Sequence, residues 1–512
     1  MNFININIGK LILIFFILVG LSNFDKYGIS YDELEHRKIG RVTFDYIFSE
    51  SKELLSLESR DHGPVFDVAF VIIEKVFRFE DSRNIYLAKH LFTHILFLIS
   101  GYFCFLLIDF LYKDKLLASI GYLLIVLNPL LYAHSFFNPK DIPFLSMFLI
   151  CLYLNVIASE KLRIKYFIIL GVGVGLLIGI RIMGIILFLM IITFLIMSLL
   201  GEKYNQKSFK RMIMLILIFF LTTILTLYIC WPFLWENPIS NFIYAFNTMS
   251  KHPGWNFKVL FEGQFINSTE PKWNYIPVWF CITTPVFYLI LGLSGIIILS
   301  YHIIKSPLKI FSNLNIRNNL FFALCFLSPV IIIIILKSNV FDGWRHLYFI
   351  YPAFVLLICS SLNMAFKSGF RNLFVVFTFL YFTYIISFMV KNNPFQHIYF
   401  NELTNTQTPE YIKSQFELDY WGTSYKQQLE FILKKDTSCK INIAVANSPG
   451  SMNRFILPIE DRKRLNFVKI EKAKYFITNY RWHPEDYLEF HQKKWHSIKV
   501  NNNTINEIYK LE

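Results

Sequence analysis

The sequence predicts an all-α polytopic membrane protein with about eleven transmembrane helices and a small C-terminal extracytoplasmic α/β domain. Of the 512 residues, 55% are hydrophobic and only 17% are charged, whereas soluble domains contain about 25% charged residues. The apolar residues form blocks of roughly 18–25 residues, which is the length that crosses a bilayer. Because no such block follows Lys391, we expect a transmembrane domain over residues 1–390 and an α/β domain over residues 391–512.

The apolar blocks also give the positions of the helices. We place them at about residues 10–24, 86–112, 116–133, 142–158, 166–180, 182–200, 212–231, 276–304, 320–337, 348–366 and 373–390. The two segments that flank Arg181 could instead form one long kinked helix, which would invert the topology of every later segment. The first segment could be a signal peptide, but no small-residue cleavage site follows it, so we expect a retained anchor.

The distribution of positive charge predicts a cytoplasmic N-terminus and an extracytoplasmic C-terminus. The loops that we place inside contain fourteen basic residues but only three acidic residues, Asp114, Glu160 and Glu202. The basic residues are Lys113, Lys115, Lys161, Arg163, Lys165, Lys203, Lys207, Lys210, Arg211, Lys305, Lys309, Arg317, Lys367 and Arg371. The first outside loop, residues 25–85, contains thirteen acidic and nine basic residues. The net charge of +14 therefore reflects membrane topology, and since no nucleic-acid-binding motif accompanies it, we expect no nucleic acid partner.

Two further patterns predict packing. Gly171, Gly175 and Gly179 are spaced by four residues in one helix, and such spacing lets membrane helices approach closely. Beyond the last apolar block, a helix-like run ends at Lys434. Strand-like runs follow at residues 441–446, 465–470 and 475–480, and residues 497–511 are typical of a hairpin that turns at residues 501–503.

The polar residues that could carry chemistry lie at the ends of helices, and the predicted topology places all of them on the outer face. They are the segments 31–37 (YDELEHR), 60–64 (RDHGP), 138–143 (NPKDIP) and 342–348 (DGWRHLY), together with Arg181. Ionisable groups at membrane depth or at a helix end need partners or water, so they favour a functional interpretation.

Each of these groups also has a simpler interpretation. The alternatives are a solvated helix cap for Asp32 and Glu33, a local ion pair for Lys140 and Asp141, snorkelling for Arg181, and interface anchoring for Arg345 and His346. Convergence of carboxylates and cations on one surface argues against these alternatives together, because random placement would put about half of the groups on the other side.

A site of this kind suits a sugar donor carried on a polyprenyl phosphate. The phosphate leaving group has a low pKa and needs cations, and the planar fork of arginine pairs with phosphate oxygens in a bidentate manner. The attacking hydroxyl has a high pKa and needs a carboxylate base within hydrogen-bond reach. One carboxylate and a cationic clamp therefore suffice for a single inverting displacement.

The residues resemble the C-type (GT-C fold) glycosyltransferases, specifically the branch of the protein O-mannosyltransferases and aminoarabinose transferases. The matching features are Asp32-Glu33, the His62-Gly63-Pro64 step, the segments 136–144 (FFNPKDIPF), 275–285 (YIPVWFCITTP) and 343–352 (GWRHLYFIYP), and a glycine-rich helix that ends at Arg181. The segment 416–427 (FELDYWGTSYKQ) is similar to bacterial members. The resemblance covers residues 10–390 and implies an enzyme of the bacterial inner or plasma membrane.

The resemblance also implies roles. Asp32 would be the base, with Glu33 beside it, and Lys140, Arg181 and Arg345 would clamp the donor phosphate. Asp141 would orient Lys140 or a sugar hydroxyl, and further substrate-binding candidates are Asp61, His62, His346 and Tyr348. The sequence departs from the His-Pro-Pro step that is common in mannosyltransferases, because it reads His62-Gly63-Pro64. The acceptor, whether lipid, glycan or protein, therefore stays open.

Two other classes of protein are compatible with part of the pattern. A lipid-linked glycan transporter or flippase would favour repeated halves and polar groups near the midplane, but the sequence has no repeat. A non-catalytic membrane scaffold that binds glycan through its outer domain would tolerate Asp32→Asn. No spacing of His and Asp predicts a metal site, so we expect no cofactor, although a loosely held divalent cation stays compatible with the sequence.

Overall fold

The computed structural model describes residues 7–201, 206–251, 256–404 and 408–512. The helices of the N-terminal half are α1 Ile8–Leu21, α2 Glu33–Phe48, α3 Glu53–Ser56, α4 Val65–Val76, α5 Ser82–Tyr112, α6 Lys115–Val126, α7 Pro129–Phe137, α8 Asp141–Lys161, α9 Ile164–Ile180, α10 Ile185–Gly201, α11 Gln206–Cys230 and α12 Pro238–Lys251. Lys203, one of the basic residues of the predicted inner loops, lies outside the described residues.

The second half begins with a short hairpin and ends with a sheet. Its helices are α13 Tyr275–Thr283, α14 Val286–Lys305, α15 Lys309–Ser312, α16 Leu314–Leu336, α17 Tyr351–Ala365, α18 Arg371–Lys391, α19 Pro409–Gln415, α20 Tyr425–Lys435, α21 Ser448–Met452 and α22 Ile459–Arg464. Its strands are β1 Lys258–Phe261, β2 Gln264–Asn267, β3 Ile441–Val445, β4 Leu465–Phe467, β5 Tyr475–Thr478, β6 Lys494–Val500 and β7 Asn503–Lys510.

The helical, multi-pass character of the chain is confirmed. Within the described ranges, seven helices are long and apolar enough to cross a membrane, or eight if α6 and α7, which meet at 61°, form one broken span. The apolar helices α1 and α9 are shorter. All eleven predicted segments are helical over most of their length, but the number of eleven crossings stays a prediction.

The chain breaks at Arg181, as the two-segment interpretation requires. Arg181 has an extended backbone conformation (φ −143°, ψ 131°) between α9 and a short 3-10 turn, Ile182–Gly184. Ile178 and Gly184 are six residues apart, and in a continuous helix they would be separated by about 9 Å along the helix axis. In the structure they are much closer, because a Cβ added to Gly184 would lie 2.9 Å from the backbone nitrogen of Ile178. The chain therefore turns back on itself here, which excludes one long helix through Arg181.

The glycine spacing in α9 serves helix packing, as predicted. A Cβ on Gly171 would lie 1.9 Å from Thr222 Oγ1, and one on Gly175 would lie 2.8 Å from the carbonyl oxygen of Thr223. Both neighbours belong to α11. The glycine face of α9 thus lets α11 approach to a distance that any side chain would prevent.

The predicted C-terminal strands and hairpin are confirmed. Their sheet has the order β4-β3-β5-β7-β6, with β3 parallel to β4 and β5, and β7 antiparallel to β5 and β6. Asn501 and Asn502 form the hairpin turn with positive φ angles of 46° and 65°, which asparagine adopts more readily than most residues. Helix α20 packs Leu429 and Ile432 onto this sheet.

The segment between α18 and α20 joins the two parts of the chain. Phe395, Ile398 and Trp421 belong to the same hydrophobic core as the membrane helices, whereas the core of the sheet begins at Tyr425. The domain boundary near residue 390 stays a prediction. This segment brings Trp421 into contact with the polar cluster described next.

Candidate functional site

The polar residues at the helix ends meet in one cluster, and Asp32 is its most exposed carboxylate. Asp32 occupies the N-cap position of α2, yet its side chain makes no capping hydrogen bond. Arg345 Nη1 instead donates to Asp32 Oδ2 over 2.9 Å. The interpretation of Asp32 as a simple helix cap is therefore wrong. Its side chain is 22% exposed, whereas those of Asp141 and Asp342 are almost completely buried.

Asp141 joins two arginines in the centre of the cluster. Its side chain is 1% exposed and lies at the start of α8. Arg181 Nη1 donates to Oδ1 through a very short contact, and Arg345 Nη1 lies 3.3 Å from Oδ2. The amide of Asn138 donates to Oδ2 over 3.0 Å. Arg181 therefore does not snorkel to the interface, although 18% of its side chain remains exposed.

Arg345 is the hub of the cluster rather than an interface anchor. Besides Asp32 and Asp141, it faces a third carboxylate, because its Nε lies 3.3 Å from Asp342 Oδ2. The guanidinium lies 4.9 Å from the ring centroids of both Phe341 and Trp421. Its side chain is only 6% exposed. Aromatic contacts and carboxylates on several sides fix this guanidinium in one orientation.

Lys140 does not pair with its neighbour Asp141. Its ammonium donates to the carbonyl oxygen of Gly63 over 2.6 Å and lies 3.8 Å from Asp67 Oδ2. Burial lowers the pKa of Lys140 to about 8. A Cβ on Gly63 would lie 2.3 Å from the carbonyl oxygen of Gly179. This contact gives a physical reason for glycine at the second position of the His62-Gly63-Pro64 step.

Glu33 does not join the cluster, although it follows Asp32 directly. Its side chain is fully buried. His90 Nε2 lies 3.1 Å from Oε1, and the backbone N–H of Ser30 donates to Oε2 over 2.8 Å. The structure therefore places Glu33 among partners that fix the turn before α2, away from Arg345.

The remaining predicted residues are Asp61, His62, His346 and Tyr348, and each has other neighbours. Asp61 and His62 lie beside each other, with Oδ1 and Nδ1 3.3 Å apart. The ring of His346 is buried against Phe341, with 4.7 Å between the ring centroids. The hydroxyl group of Tyr348 lies 3.4 Å from that of Tyr420.

The electrostatics of the cluster keep Asp32 ionised. Burial by itself raises the pKa of this carboxyl group, but the positive charges of Arg345 and Arg181 oppose this effect, and the pKa lies below its usual value. A carboxylate that stays ionised at neutral pH is in the form that a general base requires.

Sequence reasoning missed three residues of the cluster. Asp342 lies in the segment 342–348 but is not among the predicted site residues, while Glu417 and Arg481 come from the C-terminal part. Arg481 Nη2 donates to Asp342 Oδ1 over 2.6 Å, and its Nε lies 3.7 Å from Glu417 Oε1. Asp342 and Gly343 have positive φ angles of 57° and 68°, a backbone conformation that glycine and aspartate favour. The Asp-Gly pair was therefore the sequence signal for this turn. Arg481 had no such signal.

The described residues contain no group of three or more His, Cys, Asp or Glu side chains placed to hold a metal ion. Within the cluster, the carboxylates of Asp32, Asp141 and Asp342 all face one guanidinium. The arrangement is therefore one of alternating charge, with arginines between carboxylates.

Comparisons with known proteins bear on the same part of the chain. Residues 61–228 match the family model of the dolichyl-phosphate-mannose-protein mannosyltransferases. The matched segment contains Lys140, Asp141 and Arg181 but neither Asp32 nor Arg345. No curated protein matches the chain in sequence.

Solved structures were also compared with the chain. The chain is similar to the apo crystal structure of the oligosaccharyltransferase from Archaeoglobus fulgidus, with a TM-score of 0.55 and 12% identity, over 93% of this chain and 66% of that chain. It thus spans about two thirds of the length of the archaeal enzyme. It is also similar to ArnT from Cupriavidus metallidurans bound to undecaprenyl phosphate, with a TM-score of 0.48 and 10% identity, over 98% and 97% of the two chains. The chain has the GT-C membrane fold that the sequence resemblance implied.

Proposed function

We propose that this GT-C membrane protein transfers a sugar from a polyprenyl-phosphate donor to an acceptor hydroxyl group at the extracytoplasmic face. The observation that carries the proposal is the contact of Asp32 with Arg345. Arg345 also contacts Asp141, and Asp141 in turn contacts Arg181. One partly exposed carboxylate thus stands beside two fixed guanidinium groups, the combination that a phosphate leaving group and an attacking hydroxyl need.

Arg181 is the best placed of the basic residues to meet the donor phosphate. Its side chain is more exposed than that of Arg345, 18% against 6%, and its contact with Asp141 fixes one end of the guanidinium. The ion pairs of Arg345 use Nη1 and Nε, which leaves Nη2 outside them. We assign the phosphate to Arg181 and to this nitrogen of Arg345.

Asp32 is the proposed base. As the acceptor oxygen attacks the anomeric carbon of the sugar, the new carbon–oxygen bond forms and the bond to the phosphate oxygen breaks. The hydroxyl proton moves to Asp32, and the electron pair of the broken bond stays on the polyprenyl phosphate, where cations stabilise it. A single displacement of this kind inverts the anomeric configuration. Arg345 has a second role here, because it orients the carboxylate of Asp32 and keeps it ionised.

Lys140 has a supporting role in this proposal. Its ammonium holds the carbonyl oxygen of Gly63 and stays close to Asp67, so it fixes the outer loop against the start of α8. The positive charge also adds to the potential that attracts a phosphate. Asp61 and His62, in the same loop, are proposed to contact the sugar or the acceptor.

The proposal is tested with the purified full-length chain in liposomes. A panel of undecaprenyl-phosphate hexoses and pentoses, each with a labelled sugar, is incubated with lipid, glycan and peptide acceptors. Mannose has priority in the panel because residues 61–228 match the dolichyl-phosphate-mannose-protein mannosyltransferase family model. We expect labelled acceptor and free undecaprenyl phosphate from at least one donor. Absence of both products with every donor, from protein that is folded and correctly oriented, would contradict the proposed function.

A further inference from the structure

Arg481 connects the C-terminal sheet with the polar cluster. It lies in the loop that leaves β5 and is almost completely buried, with 2% of its side chain exposed. Its Nη1 donates to the carbonyl oxygen of Tyr420 over 2.5 Å, and its Nη2 donates to Asp342 over 2.6 Å. A buried arginine with two directed hydrogen bonds of this kind fixes the groups that it contacts.

Asp342 contacts Arg481 on one side and Arg345 on the other. One carboxylate oxygen accepts from Arg481. The other accepts from the indole N–H of Trp421 over 2.9 Å and lies 3.3 Å from Arg345 Nε. Asp342 has a φ angle of 57°, a left-handed conformation that is unusual for a residue other than glycine. Arg481 and Trp421 are thus the side-chain partners that hold this carboxylate beneath Arg345.

We infer that Arg481 of the C-terminal domain is a positioning residue for the proposed transfer, which holds Arg345 in place through the carboxylate of Asp342. The inference rests on the proposed function and adds a residue outside the membrane domain to its machinery. It also gives the C-terminal domain a defined task, since the sheet supplies the side chain that completes the support of the cluster.

The balance of charge supports this arrangement. Without Arg481, Asp342 would be a buried carboxylate that keeps one ion pair among the described residues, with Arg345. Arg345 would then be drawn towards Asp342 and away from Asp32. Glu417 is the more distant carboxylate, since it lies 3.7 Å from Arg481 Nε whereas Asp342 accepts from Nη2 over 2.6 Å. Burial also raises the pKa of Glu417, which disfavours its charged form, even though the nearby Arg481 lowers it.

The test is a double-mutant cycle on the full-length chain, with the labelled donor that the wild-type protein uses. We expect Arg481→Met to lower kcat by about 10- to 100-fold, because a buried charged pair is broken, with a smaller change in the KM for donor. We expect Arg481→Lys to retain part of the rate, since lysine keeps the charge but not the fork. In the Arg345→Lys background, Arg481→Met should have little further effect, because both changes act on the same contact.

A second readout separates positioning from a general loss of structure. If Arg481→Met releases Arg345 from Asp32, the pKa of Asp32 rises and activity on the acidic side is lost at a higher pH than in the wild type. The matched control is Arg454→Met, an arginine of the same domain that lies over the rings of Phe455 and Phe467 and should leave both kcat and the pH profile unchanged.

The outcomes are distinguishable. Wild-type activity in Arg481→Met, or a loss that adds fully to that of Arg345→Lys with an unshifted pH profile, would overturn the inference and leave the proposed function intact. If Arg481→Met fails to fold, the same cycle with Arg481→Lys decides between these results. A wild-type protein without transfer activity would overturn both proposals.

Discussion

Replacement of Arg345 by lysine tests the cluster more sharply than removal of the charge. Arg345→Lys keeps a cation at the hub but replaces a planar fork by a point donor. The arginine contacts Asp32 over 2.9 Å and Asp141 over 3.3 Å, and its Nε lies 3.3 Å from Asp342. An ammonium on a flexible stem cannot reach three carboxylates in these directions at once, so we expect it to lose at least one contact.

The magnitude follows from the contacts. A hydrogen bond to a charged group contributes about 1.5–3 kcal/mol. If one such bond to Asp32 is lost and the loss falls on the transition state, kcat/KM should fall by about 10- to 150-fold, since about 1.36 kcal/mol corresponds to a tenfold change in rate. Most of the fall should appear in kcat, because Arg181 remains to bind the donor.

The assay is steady-state release of polyprenyl phosphate from a labelled donor in liposomes. The matched control is Arg317→Lys, the same substitution at a buried arginine of α16 whose Nη1 donates to the carbonyl oxygen of Phe311. We expect the control to keep wild-type kcat/KM. An unchanged kcat/KM in Arg345→Lys would refute the reasoning, because the geometry of the fork would then be irrelevant to the reaction.

Three further predictions concern acidity, packing and topology. Because the pKa of Asp32 is held below its usual value, the carboxylate stays ionised as the pH falls, and a kcat/KM profile should lose activity only below the ordinary aspartate range. Gly63→Ala would place a Cβ 2.3 Å from the carbonyl oxygen of Gly179, so the midpoint of thermal unfolding should fall with a cost of about 1–3 kcal/mol; an unchanged midpoint would contradict that contact. The exposed thiol of Cys439 should react with an impermeant maleimide on intact cells, whereas Lys309→Cys in a Cys439→Ser background should react only after permeabilisation, and the reverse pattern would invert the predicted topology.

The sequence was sufficient for the helices and for the convergence of Asp32, Asp141, Arg181 and Arg345. Blocks of apolar residues report burial in lipid directly, so every predicted segment is helical in the structure. The break at Arg181 could also be anticipated, because an arginine between two apolar blocks interrupts a span. The number of crossings could not be settled in the same way, since α1, α6, α7 and α9 are short or bent.

The pairing of side chains was beyond the reach of sequence patterns. Asp32 and Glu33 are adjacent and chemically alike, yet the first faces Arg345 and the second faces His90. Only the direction of the turn before α2 separates them. The contact of Asp342 with Arg481 joins residues 139 positions apart, and no local pattern of spacing can reveal a pair that tertiary packing creates.

The same limit applies to the role of Lys140. Its position beside Asp141 in the sequence suggested a local ion pair, or a phosphate ligand by resemblance. The structure directs its ammonium to the carbonyl oxygen of Gly63, which lies in another loop. The contacts of this lysine are therefore determined by the backbone turn at the start of α8 and cannot be inferred from its neighbour in the sequence.

The measurement that tests the central claim most directly is single-turnover transfer by Asp32→Asn. Asparagine keeps the size of the side chain and can still accept from Arg345 Nη1, so the fold should be preserved while the base is lost. We expect the rate of sugar transfer to fall by about 10²- to 10⁴-fold, the usual contribution of a general base. Asp25→Asn, the same change at an exposed position of the same loop, should retain the wild-type rate. Equal rates in Asp32→Asn and Asp25→Asn would contradict the assignment of Asp32 as the base.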